Sequence, residues 1–132
     1  MIFTLNSRFE EKLTVSRDVY QGFIALFKDR NPLHTDEDFA KEKGFTSKVM
    51  HGNILNGFIS WFIGERLPVK NVIIHSQEIQ FKNAVYLNDE LLFTAEVTGV
   101  FESVNAVEFR FTFINKESKT VAKGKFQIGL LQ

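Results

Sequence analysis

Asn53-Ile54-Leu55-Asn56-Gly57-Phe58-Ile59-Ser60-Trp61-Phe62-Ile63-Gly64-Glu65-Arg66-Leu67-Pro68 is the most apolar run of the chain, and its spacing decides the fold. Ile54, Leu55, Phe58, Ile59, Phe62 and Ile63 recur at steps of one and three, the period of an α-helix, and cover more than half of its circumference. A helix apolar over so much of its surface has to be buried. Pro68 stops it, because proline has no N–H to give and its ring clashes with the preceding turn. The spacing therefore predicts a helix over 54–67. The stripe left uncovered is Asn53, Gly57, Ser60 and Gly64, a face of small residues that lets another backbone or a slender ligand come close. Tight packing on a sheet accounts for the glycines but not for the serine and the asparagine.

Beyond this helix the period switches to two, and segments 73–81, 90–101, 106–115 and 120–131 read as strands. Leu91, Phe93, Ala95 and Val97 share one face; Val107, Phe109, Phe111 and Phe113 share another; Ala122, Phe126, Ile128 and Leu130 line the last strand. Upstream, 2–5 and 9–15 look extended. Ser16 is a good N-cap for a helix over about 17–28, where Val19, Phe23, Leu26 and Phe27 recur at helical spacing. Asp36-Glu37-Asp38 opens a short helix through about Lys43, ended by Gly44 in a left-handed conformation. One long buried helix followed by a run of antiparallel strands means an α+β domain with a curved sheet wrapped on that helix. Fifteen phenylalanines against one Trp and two Tyr call for a greasy core, a deep apolar slot or a buried subunit interface. Open sheet edges point to completion by a partner subunit.

The 132 residues are read as one domain, 1–132. Sixteen basic residues balance sixteen acidic ones, so there is no general drive toward nucleic acid or an anionic membrane. With no cysteine there is no disulfide framework, thiolate nucleophile or zinc knuckle. The N-terminus lacks the apolar run of a signal peptide, and no apolar stretch is long enough to span a bilayer. A cytoplasmic protein is expected. The three histidines, at 34, 51 and 75, form no i,i+4 pair, so neither a metal nor another cofactor is called for.

Chemistry concentrates in Asp29-Arg30-Asn31-Pro32-Leu33-His34, which puts a carboxylate and an imidazole five positions apart. Pro32 fixes its own φ and pushes Asn31 toward extended geometry, so a stiff, non-helical turn is expected, braced by Asn31. A carboxylate and a neutral imidazole on one such turn can together bind and deprotonate a water. Asp, His and Asn-Pro are also ordinary loop residues, so these six alone leave the reading open.

The surrounding residues narrow it. Phe27-Lys28-Asp29-Arg30-Asn31-Pro32-Leu33-His34-Thr35-Asp36, followed by Val49-Met50-His51-Gly52-Asn53, resembles the two motifs of the MaoC-like hot-dog hydratases. Phe81-Lys82-Asn83-Ala84-Val85 and Asp89-Glu90-Leu91 are similar to two weaker ones downstream. The resemblance implies a hot-dog fold, a homodimer, and (R)-specific hydration of trans-2-enoyl thioesters of coenzyme A or acyl carrier protein, or the reverse dehydration. It implies that Asp29 and His34 activate the water, that Gly52 offers its N–H to the thioester carbonyl, and that Ser60 on the central helix lies near Asp29. Asn31 and Asn53 join the candidate substrate-binding residues.

Three departures from the family pattern stand out. Its glycine before the aspartate is Lys28 here, which takes a left-handed backbone at greater cost, so either the turn is ordinary there or Asp29 is held differently. The methionine after His-Gly is Asn53, which makes the mouth of the site more polar. Ala84 and Asn88 replace a proline and a glycine, and asparagine tolerates a left-handed turn. The alternatives are a non-catalytic acyl-thioester-binding subunit, suggested by Lys28 and Asn53, and a 3-hydroxyacyl-carrier-protein dehydratase. Dehydratases of fatty-acid synthesis keep their acid on the central helix, which here has no carboxylate before Glu65. His51 is expected to be structural, His75 packed or exposed, and Asp36 a helix cap.

Overall fold

A computed structural model describes residues 2–132. In chain order the elements are β1 (Arg8–Thr14), α1 (Arg17–Phe27), the single turn α2 (Pro32–Thr35), α3 (Glu37–Glu42), α4 (Asn53–Trp61), β2 (Val72–Phe81), β3 (Glu90–Phe101), β4 (Ala106–Ile114) and β5 (Thr120–Leu130). The strands form one antiparallel sheet in the order β1-β3-β4-β5-β2, so β1 and β2 are its edges. The apolar face of that sheet closes on α4, which is the hot-dog arrangement of a sheet around a central helix.

Alternation on the strands and the 3.6-residue period on the helix meet in one core. Leu91, Phe93, Ala95 and Val97 of β3 and Val107, Phe109, Phe111 and Phe113 of β4 are buried, as are Ile54, Leu55 and Ile59 of α4. Phe62 meets Phe93 edge-on at 4.9 Å, and Phe109 stacks on Phe126 at 4.8 Å. Much of the phenylalanine content is therefore core packing, each buried ring contributing about 2–3 kcal/mol of transfer free energy.

Two expectations need correction. Segment 2–5 is not a strand: Asn6 turns the chain with φ 71°, so Phe3 is buried against Phe109 as an anchor without a ladder. The central helix is not α-helical to its end either. Phe62–Arg66 is a π-helical turn, whose wider winding keeps Phe62, Ile63 and Leu67 all on the buried side. Asn88 does take the left-handed conformation, at φ 68°. No helix among the described residues is long and apolar enough to cross a membrane.

Candidate active site

The site begins where α1 ends. Ser16 caps α1 by accepting from the Val19 N–H, and Tyr20 is its buried residue. At the other end Lys28 sits at φ 62°, ψ 22°, with its N–H donating to Ile24 O at 2.8 Å. The lysine thus adopts the left-handed conformation that a glycine would take more easily. That reverses the chain and sets Asp29 beside the next turn, with Asn31 N–H donating to Asp29 Oδ1 at 3.2 Å.

The turn itself is helical, contrary to the reading of proline as a helix excluder. Pro32 occupies the first position of α2, where its missing N–H costs nothing, and Asn31 Oδ1 accepts from Leu33 N–H at 3.0 Å as the cap. Asn31 therefore spends its amide oxygen on the turn. His34, third in α2, is held from both sides: Tyr20 Oη donates to its carbonyl at 2.5 Å, and His34 Nδ1 lies 2.7 Å from Val49 O. A carbonyl only accepts, so Nδ1 carries the proton and Nε2 is left with a lone pair. That Nε2 faces Asp29 Oδ2 across 3.8 Å, with the His34 side chain 16% exposed and that of Asp29 51%.

His51 backs the pair. Its Nε2–H donates to Asp29 O at 2.8 Å, and its ring stacks on that of His34 with centroids 4.0 Å apart. Burial, and then the neighbouring His34, hold its pKa below the usual histidine value despite Asp29 close by. Gly52 follows at the start of α4, which has no side-chain cap. Among the described residues neither Gly52 N–H nor Asn53 N–H is spent on another carbonyl. A Cβ on Gly52 would lie 2.9 Å from the Phe81 ring, so this position admits only glycine without a shift.

Two clefts meet at Asp29. One of about 480 Å³ is lined by Asp29, His34, His51, Gly52, Phe81 and Lys82. The other, about 900 Å³, runs along the small-residue stripe of α4, past Gly57 and Ser60, with Leu26 and Phe27 on its far wall. Asp29 and Asn53 line both. The space above Gly57 and Gly64 is open. Asn53 is oriented by a chain of amides: Gln77 Nε2 donates to Asn56 Oδ1, and Asn56 Nδ2 to Asn53 Oδ1 at 2.8 Å. The structure thus brings Asp29, His34, Gly52 and Asn53 together in the first cleft and Asp29, Asn53 and Ser60 in the second. Asn31 serves the turn.

Sequence reasoning missed Tyr20, and gave no role to Val49 and Phe81 although both stand in the quoted motifs. Tyr20 had one signal, a polar-tipped aromatic on the inner face of a helix leading into the motif. The role of Val49 left no mark on its side chain, because it acts through its carbonyl. His75 is paired with Gln127, and Asp36 caps α3 as expected.

A carboxylate oxygen and one nitrogen from each of His34 and His51 lie within 4.8 Å of one another. Each ring has already given one N–H to a carbonyl, which leaves a lone pair on His34 Nε2 and another on the buried Nδ1 of His51.

The description "MaoC like domain" matches residues 5–120 of this chain. The chain belongs to the MaoC-like family. Among its relatives, an (R)-specific enoyl-CoA hydratase of Rhodospirillum rubrum is 36% identical over 99 residues, 75% of this chain and 69% of that protein. A mitochondrial 3-hydroxyacyl-[acyl-carrier-protein] dehydratase of Arabidopsis thaliana is 26% identical over 88% of this chain and 70% of its own length. The solved (R)-hydratase of Aeromonas caviae, described as involved in PHA biosynthesis, superposes with a TM-score of 0.89 at 26% identity, covering 98% of each chain. This MaoC-like chain carries Lys28 and Asn53 in a similar backbone.

Proposed function

We propose that this MaoC-like protein is a hydro-lyase that adds water to trans-2-enoyl thioesters to give (R)-3-hydroxyacyl thioesters, or removes it in reverse. The observation that carries the reading is the pair of lone pairs facing each other across 3.8 Å, Asp29 Oδ2 and His34 Nε2. Two acceptors that close need a shared donor, and a water giving one hydrogen to each fits. As its oxygen bonds to Cβ, one proton passes to the pair and is delivered to Cα, and the other stays on the new hydroxyl. The electron pair of the double bond moves toward the thioester carbonyl, whose oxygen gains negative charge. Gly52 N–H at the start of α4, helped by the helix dipole, receives that charge. Ser60 and Asn53 flank the acyl chain along the open stripe.

Its relatives' thioesters are the expected substrates, with coenzyme A or acyl carrier protein as carrier. The non-catalytic alternative rested on Lys28 and Asn53, and Lys28 takes the left-handed backbone without displacing the motif. Incubation with crotonyl-CoA tests the reaction through loss of the enoyl absorbance. Formation of the (R)-3-hydroxy product is expected, and an unchanged absorbance across short and long enoyl chains on either carrier contradicts it.

A further inference from the structure

The geometry points to His51 as a positioning residue that sets the gap between Asp29 and His34, an inference that rests on the reading of that pair given above. Among the described residues His51 is a buried polar side chain, 3% exposed, in a core otherwise made of apolar residues and Tyr20. It holds both halves of the pair at once. Its Nε2–H fixes the main chain of Asp29, a residue between α1 and α2 that belongs to neither, and its ring face fixes the imidazole of His34. Phe23, with its ring centroid 4.7 Å away, and Tyr20 at 5.9 Å pack against the same imidazole.

Packing alone does not ask for a histidine here. Its Nδ1 is buried with no hydrogen-bond partner, an unmet acceptor that a phenylalanine in the same slot would not have. What the imidazole supplies and a phenyl ring cannot is the N–H to Asp29 O. Asp29 reaches His34 only across 3.8 Å, so a main-chain shift at Asp29 changes that gap directly. Misplacement of about 1 Å at reacting groups costs on the order of a hundredfold in rate.

Three proteins decide the matter: the wild type, His51→Phe, which keeps the stack and loses the donor, and His51→Gln, whose amide nitrogen reaches about the place of Nε2. Each is assayed for crotonyl-CoA hydration, for melting temperature and, by crystallography, for the distance from Asp29 Oδ2 to His34 Nε2. His51→Phe is expected to lose ten- to a hundredfold in kcat with KM nearly unchanged, to melt within a few degrees of the wild type, and to show the gap widened by about 1 Å. His51→Gln is expected to recover most of kcat and the wild-type gap. Wild-type kcat in His51→Phe, or an unchanged gap, overturns the assignment. So does a phenylalanine variant that fails to fold while the glutamine variant folds without regaining kcat, since that marks a purely structural residue. A wild type inactive on every enoyl thioester defeats the hydratase reading instead, and the crystallographic gap then still tests His51.

Discussion

His34 has two ring nitrogens, and the backbone settles what each one does. Val49 O accepts a hydrogen bond from Nδ1–H, so Nε2 keeps its lone pair on the side of Asp29 and is free to act as a base toward a water between them. His51 is fixed the same way by Asp29 O, and burial disfavours its charged form. The folded protein therefore binds a proton at His51 less readily than the unfolded chain, for which the reference value is 6.5. Stability from this group is fully present above about pH 6.5 and is lost as pH falls below it toward the lowered folded value. Urea unfolding from pH 7.5 down to 5 should show that decline, and His51→Phe should flatten it. At Gly52 the expected cost is catalytic. Gly52→Ala places a Cβ against the half-exposed ring of Phe81 on a backbone that alanine adopts freely, so the fold survives, and the methyl crowds the carbonyl bound at the N–H. Losing one oxyanion donor costs about 3 kcal/mol, on the order of a hundredfold in kcat, whereas Ser60→Ala removes at most one neutral hydrogen bond to the substrate, about 1 kcal/mol. Near-normal kcat in folded Gly52→Ala, confirmed by circular dichroism, would place the carbonyl elsewhere.

α1 delivers the site through Lys28, an element end that holds a residue ill suited to its backbone. Lys28→Gly should relieve about 1 kcal/mol of left-handed strain, read as a higher urea midpoint at unchanged slope. No gain would mean that Lys28 has compensating contacts. The element scale is also where the sequence was most legible. The extents of β3 and α1 and the start of α4 follow from periodicity and caps, because burial on one face imposes a period. The turn at Pro32 was misread because proline breaks a helix interior but suits a helix start, and a four-residue helix has no period to reveal it. The π-helical turn at Phe62–Arg66 left no mark either, since Phe62, Ile63 and Leu67 fit an α-helical reading equally well. Asp29 and His34 were legible from their spacing on one turn. Their supports were not: Tyr20, Val49 and His51 act on residues 14, 15 and 22 positions away, and in each case one partner is a backbone carbonyl.

At the scale of the whole molecule, β2 is an edge strand with Ile73, Ile74 and Phe81 exposed, and the second cleft is open along α4. A ten-residue edge strand that exposes these three apolar side chains is a template for pairing, so a two-fold dimer is expected with the clefts near its interface. Sedimentation should give twice the chain mass at micromolar concentration, and Ile74→Lys should shift it toward the monomer. A wild-type monomer would contradict this. All of these arrangements serve one claim, that Asp29 and His34 act on a single water. The measurement that tests it most directly is a double-mutant cycle on crotonyl-CoA hydration with Asp29→Asn, His34→Ala and the two combined. The account predicts that each single change removes most of kcat and that the double variant is little worse than either, because neither half activates the water alone. Losses that simply multiply would show two independent contributions and contradict the shared water.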